Sequence, residues 1–476
     1  MLFTTFTFTS FFITCLIVWW GLLPKGHVGL RKATLIIMSC IFYAWADPKW
    51  LMSLLAVSVI AYAGSRWVYH SEESSRKVKG GTITVLLLSQ LIFWKYLPWA
   101  AISWNELGFI PQSYLLPVPE WAYPVGLSFF TFHALSLVLS SWLEKEEPLS
   151  LMSSVAHVSF FPSLLAGPVL RRNNIEPRWS QSWSWREVDW TEAIGRIMLG
   201  MTFKWVFASK VAEWSDPVYQ GMAESSWQVI FGVHAYALQI FFDFAGYSHI
   251  ALGVALMLGW RLPENFTQPY LATSVQDFWR HWHRSLSYFF RDYVYIHLLG
   301  GNRKGKSRTL LNGLFTMFIS GLWHGASATF VVWGIWHGVL LMLQSLIKMV
   351  IPVKLPKFLA WLITIECVVW GWVWFRATDL RNALEVFSQA FNIESLKTQG
   401  MSFDYSYGLW IVIMLAFVFF ERKVISVIKE ANEYMEKNQA EPIVSTFAGA
   451  FVLSLWSWLI MYYGPVGVPA FIYNGF

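Results

Sequence analysis

The sequence predicts an all-α polytopic membrane protein, and three observations carry that reading. Of 476 residues, 56% are hydrophobic and only 13% are charged, against about 25% charged in a typical soluble domain. The apolar residues come in long runs and do not alternate, which argues against an outer-membrane barrel. The cations stand in short segments between those runs, the bias of cytoplasmic loops. So much apolar surface excludes a disordered chain, and so little charge disfavours a large soluble enzyme. The net charge of +6 is then loop bias, and no nucleic-acid partner is expected.

The elements follow from apolar length, since roughly 20 apolar residues cross the hydrocarbon. Such runs fall near 5–23, 33–47, 50–64, 82–101, 124–142, 192–212, 228–258, 309–322, 328–350, 356–375, 406–420 and 444–463. Several are short enough to be tilted or re-entrant, which gives roughly ten to twelve transmembrane or re-entrant helices. The first run lacks a basic start and a small-residue cleavage site, so it reads as a retained span and not a signal peptide. Lys25, Arg31 and Lys32 follow it. Arg76, Lys77 and Lys79 follow the third run. Arg303, Lys304, Lys306 and Arg308 precede the run at 309, and Arg422, Lys423 and Lys429 follow the run at 406. Assigning all four segments to the cytoplasm puts the N-terminus outside. With no repeat and no linker rich in Gly, Ser or Pro, residues 1–476 read as a single membrane-embedded domain.

Three stretches break the pattern. Residues 157–178, HVSFFPSLLAGPVLRRNNIEPR, carry Pro162, Gly167 and Pro168 inside an apolar segment. A broken or re-entrant helix is expected there, with irregular backbone that must lie against protein or a wet cavity. Residues 260–275 are polar and punctuated by proline. Residues 276–299, QDFWRHWHRSLSYFFRDYVYIHLL, read as one amphipathic interfacial helix. Asp277, Arg280, Arg284 and Arg291 share one face, and Phe278, Trp282, Leu286, Phe289 and Tyr293 the other. His283 falls at the boundary, beside Trp279, Arg280 and Ser287.

Ionisable groups inside spans cost roughly 2.5–3.5 kcal/mol for Arg or Asp on insertion scales, so those that occur are functional candidates. His133, Asp243, His249 and His324 stand out. His324, in FISGLWHGASATF, follows Trp323 and precedes a glycine that permits close approach. A buried neutral imidazole there can take a proton from a hydroxyl and return it; the alternative is a core histidine bound to a carbonyl. His337, in WGIWHGVLL, repeats the WHG tripeptide 13 residues on. On a continuous helix that is about 20 Å away on another face, so the structural reading is preferred for it. Asp243, among aromatics, needs a partner, such as an arginine or histidine of the amphipathic helix; His249, six residues on, forms no obvious dyad with it. No HExxH, P-loop, GxSxG or dinucleotide fingerprint occurs. His281 and His283 diverge on a helix, and Cys15, Cys40 and Cys367 lie apart in apolar runs, so neither a metal site nor a disulfide framework is expected.

The segments FFDFAGYSHIALG at 241–253, LPENFTQPY at 262–270, FWRHWHRSLSYFFRDYVYIHLLGGNRKG at 278–305 and GLWHGASATFVVWGIWHG at 321–338 resemble the membrane-bound O-acyltransferase (MBOAT) family. YPVGLSFFTFHALS at 123–136 and FFPSLLAGPVLR at 160–171 extend the likeness. It is strongest to the bacterial branch of alginate O-acetylases, peptidoglycan O-acetyltransferase membrane subunits and teichoic-acid D-alanyl transfer proteins. The resemblance implies helices around a central tunnel, with His324 of WHG as catalytic base and His283 lining the same tunnel. Trp323, Asp243, Arg280, Trp279 and Gly167 are the further tunnel candidates. Two departures stand out: His249 where many relatives carry an acid, and LVLSSW after TFHALS.

The function this implies is transfer of an acetyl group from a cytoplasmic thioester donor across the bacterial inner membrane, towards alginate-type exopolysaccharide or peptidoglycan. The implied donor is acetyl-CoA or an acyl carrier, with no bound cofactor. A periplasmic acetyltransferase partner would complete the transfer, and membrane lipid surrounds the protein. The basic 299–308 loop can attract the donor's phosphates or lipid, although ordinary loop bias accounts for each lysine alone. Within the class, D-alanine transfer from a carrier protein to teichoic acid is the alternative. Outside it a transporter is the alternative, since intramembrane His and Asp with broken helices also occur there; no inverted repeat supports that.

Overall fold

The computed structural model describes residues 3, 5–24, 26–106, 111–119, 124–303, 305–350, 355–398, 408–420, 423, 426, 430 and 442–465, and of 442–451 the backbone only. Lys25, Lys304, Arg422 and Lys429 of the topological clusters, and Tyr123, lie outside the described residues. Among the described residues the regular structure is helical, with no strand. Five helices are long and apolar enough to cross a membrane: Pro48–Tyr69, Glu73–Asn105, Ser226–Met257, Ala328–Val350 and Lys357–Arg376. Phe6–Leu22, Leu127–Leu143, Gly408–Phe420 and Val452–Tyr463 are shorter apolar helices. The protein is thus a multi-pass helical membrane protein, as its apolar runs predict.

The chain divides into two compact units, Met1–Asp189 with Val254–Pro263, and Trp190–Gly253 with Glu264–Phe476. The first holds α1 (Phe6–Leu16, continued by a π-helical stretch to Leu22), α2 (Val28–Ala44), α3 (Leu51–Tyr69), α4 (Glu73–Asn105), α5 (Leu127–Leu143) and α6 (Leu151–Val158). Side chains mark the starts: the Thr5 hydroxyl accepts from Phe8 N, the Asp47 carboxylate from Lys49 N and the Ser150 hydroxyl from Ser153 N, each satisfying an orphan donor. α3 packs against α4, α5 and α6.

The 157–178 stretch is broken, as its prolines and glycine predict. α6 ends at Val158, a single turn covers Phe161–Leu164, and 168–171 is not helical. Gly126, at φ +73, seats the start of α5 on this turn, where a Cβ would stand 2.6 Å from Leu164 O. The 31–32 pair departs from its reading as loop cations. Arg31 is 2% exposed, donates to Trp19 O at 3.2 Å and Leu23 O at 3.4 Å, and lies 5.1 and 5.0 Å from the rings of Trp19 and Trp183. It satisfies carbonyls at the end of the first helix, and aromatic faces offset its desolvation. Lys32 reaches Ser153 Oγ at 2.5 Å and Glu176 at 3.7 Å.

The second unit holds α7 (Trp190–Met201, continued by a π-helical stretch Thr202–Ala208), α8 (Ser209–Tyr219) and α9 (Ser226–Met257), the last four residues of α9 being counted with the first unit. Then come α10 (Val275–His281), α11 (Arg284–Phe289, continued by a π-helical stretch to Leu298), α12 (Lys306–His324), α13 (Ala328–Val350), α14 (Lys357–Arg376) and α15 (Leu380–Ala390). The apolar stretch of α9 is buried throughout. In a bilayer, helices associate through packing and polar contacts, and small residues let backbones meet. α7 meets α9 in this way: a Cβ on Gly200 would stand 2.5 Å from Gly246 O, and one on Gly253 2.6 Å from Ala193 O. α12 and α13 form a hairpin by the same device. A Cβ on Gly334 would stand 2.5 Å from Met317 O, and one on Gly338 2.6 Å from Leu314 Cδ1.

Two sequence expectations are corrected here. The 276–299 segment is helical but is not one helix. α10 ends at His281, and His283 takes the left-handed conformation (φ 42, ψ 53) before α11 starts. The aromatic side is nonetheless buried at Phe278, Trp282, Leu286, Phe289 and Tyr293, against protein and not lipid. Trp282, for instance, lies 4.8 Å from Trp372 and 5.0 Å from Phe266. The second correction is that His324 and His337 do not share a helix. α12 ends at His324 and α13 starts at Ala328. Gly325 sits in extended backbone, and a Cβ there would overlap the Phe330 ring.

Candidate active site

The second unit gathers both predicted histidines around one indole. Trp323 lies 4.8 Å from the His324 ring and 6.1 Å from the His283 ring, centroid to centroid. α12 supplies Trp323 and His324 at its C-terminus, and the break between α10 and α11 supplies His283. His324 is further walled by Trp333 of α13 at 4.8 Å and Phe375 of α14 at 5.1 Å, and His283 by Phe244 of α9 at 4.7 Å. Both imidazoles are buried, at 5% and 1% exposure. Burial pushes the His283 imidazole below its ordinary pKa, because the charged form loses its hydration.

Asn265, in the LPENF turn, builds the His283 side of the site. Its Oδ1 lies 3.4 Å from His283 Nδ1 and accepts from Ser285 Oγ at 2.6 Å, while its Nδ2 donates to Ser248 Oγ at 3.2 Å. Backbone pairs close the junction: Arg284 N donates to Asn265 O at 2.9 Å, and Thr267 N to His281 O at 3.1 Å. A helix broken in the protein interior must satisfy its freed groups against protein, and the 265–267 segment does so. His283 Nε2 is buried with no hydrogen-bond partner among the described residues.

The other candidates divide. Trp279 is an edge neighbour of Trp333 at 5.6 Å and of His337 at 5.0 Å. His337 lies 5.1 Å from Trp333 on α13, so the two WHG histidines contact one shared indole. That proximity follows from the break after His324. Trp279 and the exposed Arg280 line a cavity of about 710 Å³ with Arg291, Arg303, Ser287 and Tyr288. Asp243 pairs with neither an arginine nor a histidine of the 276–299 segment; its partner is Lys204, both side chains being 4% exposed. The close approach at Gly200 and Gly246 brings the two together. His249 lies 3.5 Å from Arg196, which pairs with Glu192 and Glu264. In the first unit, Gly167 is buried against its own turn, where a Cβ would stand 2.5 Å from Ser163 Cα. His133 lies 6.0 Å from His157 there, and His157 Nε2 is 3.2 Å from Ser136 Oγ. Among the described residues no group of three His, Cys, Asp or Glu could hold a metal ion.

Sequence reasoning named Trp323 and Trp279 but missed Asn265, Lys204, Arg196 and Trp333. The rule that singled out Asp243 applies equally to Lys204 in GMTFKWVFA, a cation inside an apolar run. Asn265 carries no such signal, since its role exists only once the 283 break is folded beside it.

The site is thus a pair of buried imidazoles set among indoles in a multi-pass helical membrane protein. The chain belongs to the MBOAT, membrane-bound O-acyltransferase, family, whose profile matches residues 118–378, and it is therefore an acyltransferase. It is 33% identical over 393 residues to a probable alginate O-acetylase of Pseudomonas aeruginosa, covering 81% of this chain and 75% of that one. It is 28% identical over 490 residues to a peptidoglycan O-acetyltransferase of Helicobacter pylori, covering 90% and 91%. A teichoic acid D-alanyltransferase of Bacillus subtilis is 29% identical over 232 residues, 46% of this chain and 58% of that one.

Proposed function

We propose that this acyltransferase moves an acetyl group from a cytoplasmic thioester donor, acetyl-CoA, across the inner membrane for O-acetylation of a cell-envelope or exported polysaccharide. The observation that carries this reading is the pair of buried imidazoles, His283 and His324, both set against Trp323. His324 takes the proton of the acceptor hydroxyl as its oxygen attacks the thioester carbonyl. The tetrahedral intermediate collapses, the carbon–sulfur bond breaks, and the imidazolium returns the proton to the departing thiolate. His283 orients a reactant. The indole walls exclude water, which would otherwise hydrolyse the thioester.

The cavity beside Trp279 supports a phosphate-bearing donor, since Arg280, Arg291 and Arg303 line it and guanidinium groups suit phosphate. The names of the long-matching relatives support acetyl as the group and alginate or peptidoglycan as the polymer class. The D-alanyl relative matches less than half of the chain. A polymer outside the membrane needs a periplasmic partner to receive the acetyl group. The test is turnover of acetyl-CoA by the purified protein in nanodiscs with an alcohol acceptor. Wild type should release CoA and form ester, and His324→Ala should do neither; ester formation by His324→Ala at the wild-type rate would defeat the reading.

A further inference from the structure

The His283 junction contains more than the reaction scheme uses. A non-glycine residue in the left-handed region is strained and persists only where its surroundings over-determine it. Here the determinant is Asn265, fully buried in the LPENF turn. With Nδ2 committed to Ser248 Oγ, Oδ1 faces Ser285 Oγ and His283 Nδ1. A carboxamide oxygen only accepts, so Nδ1 must carry the proton and Nε2 the lone pair. That Nε2 is the buried ring atom left without a partner. The turn is itself anchored, because the preceding residue, Glu264, pairs with Arg196.

We propose that Asn265 is a positioning residue for acyl transfer: its carboxamide fixes His283 in the Nδ1–H tautomer, so that Nε2 presents a lone pair to a hydroxyl-bearing acceptor. The role rests on the reading that the acceptor is an alcohol. It assigns the two histidines different tasks: Nε2 of His283 accepts from a hydroxyl neighbouring the reacting one on a polyol acceptor, while His324 takes the reacting hydroxyl's own proton and returns it to the thiolate. The neutral imidazole suits that task, because a protonated Nε2 could only donate.

The test joins a spectrum to a double-variant cycle. Ring-nitrogen NMR of histidine-labelled protein in bilayers, with His283 assigned by its loss in His283→Asn, should show the Nδ1–H tautomer in wild type. The same tautomer should persist in Asn265→Asp, which keeps an acceptor facing Nδ1, and should be lost in Asn265→Ala. With acetyl-CoA as the probe donor, Asn265→Ala should lower kcat about 10- to 100-fold and leave the donor KM unchanged. In the His283→Asn background the same substitution should cost less than about twofold, as expected of residues acting as a unit. An Nε2–H tautomer in wild type would overturn the proposal, as would losses that multiply in the double variant. Absence of acetyl-CoA turnover in wild type would defeat the donor reading, while the tautomer still decides the role of Asn265.

Discussion

His324 and His283 make different demands on a substitution. His324→Ala removes the proposed base and should lower transfer by about 10²- to 10⁴-fold, with insertion intact, as judged by ester formation per unit of membrane-inserted protein. His283→Ala should impair turnover severely but leave a residual rate, since it removes orientation and not the proton acceptor. His337→Ala should cost less turnover than either. It should instead lower stability, because it empties a space behind Trp333 and Trp279. A dead His337 variant beside an active His324 variant would assign the chemistry to the second WHG. The Lys204–Asp243 pair is the structural counterpart. Lys204→Met alone removes the ammonium from a buried carboxylate and should destabilise by about 3–5 kcal/mol, whereas Lys204→Met with Asp243→Leu should approach neutrality. Thermal melts in detergent check both. Legibility at this scale followed chemistry: WHG and the intramembrane Asp243 are visible in the string, while Asn265 is an ordinary turn residue until His283 folds against it.

At the scale of elements, the α12–α13 hairpin determines where His324 points. The contacts at Gly321, Gly334 and Gly338 leave no room for a side chain, so Gly334→Leu should separate the helices and displace Trp333 from His324. Loss of transfer together with a lowered melting temperature is expected, while a variant that melts and turns over as wild type would show that the contact is dispensable. Gly167→Trp must first displace the Ser163 turn. Loss of both stability and transfer therefore assigns Gly167 to the turn, and loss of transfer alone supports its expected place on the acyl path. Apolar length gave most helices to within a few residues, because the hydrocarbon sets their span. It separated the runs on either side of His324 but missed the break at His283. That junction contains no proline, and its partners, Asn265 and Thr267, are distant in sequence.

At the scale of the molecule, the account requires an acyl group to pass between two aqueous sides while CoA and polymer stay apart. Burying the phosphates of CoA in hydrocarbon would be prohibitive, so donor and acceptor must approach His324 from opposite faces. Cysteines introduced at 76–79 and 299–308, in a background without Cys15, Cys40 and Cys367, should resist an impermeant thiol reagent in spheroplasts; labelling at 299–308 would reverse the orientation. Sided proteoliposomes test the central claim most directly, with acetyl-labelled CoA on one side of the bilayer and an alcohol acceptor on the other. The account predicts ester only when the donor is on the side of the 299–308 loop, and none with His324→Ala. Equal transfer from either side, or transfer that survives His324→Ala, would contradict it.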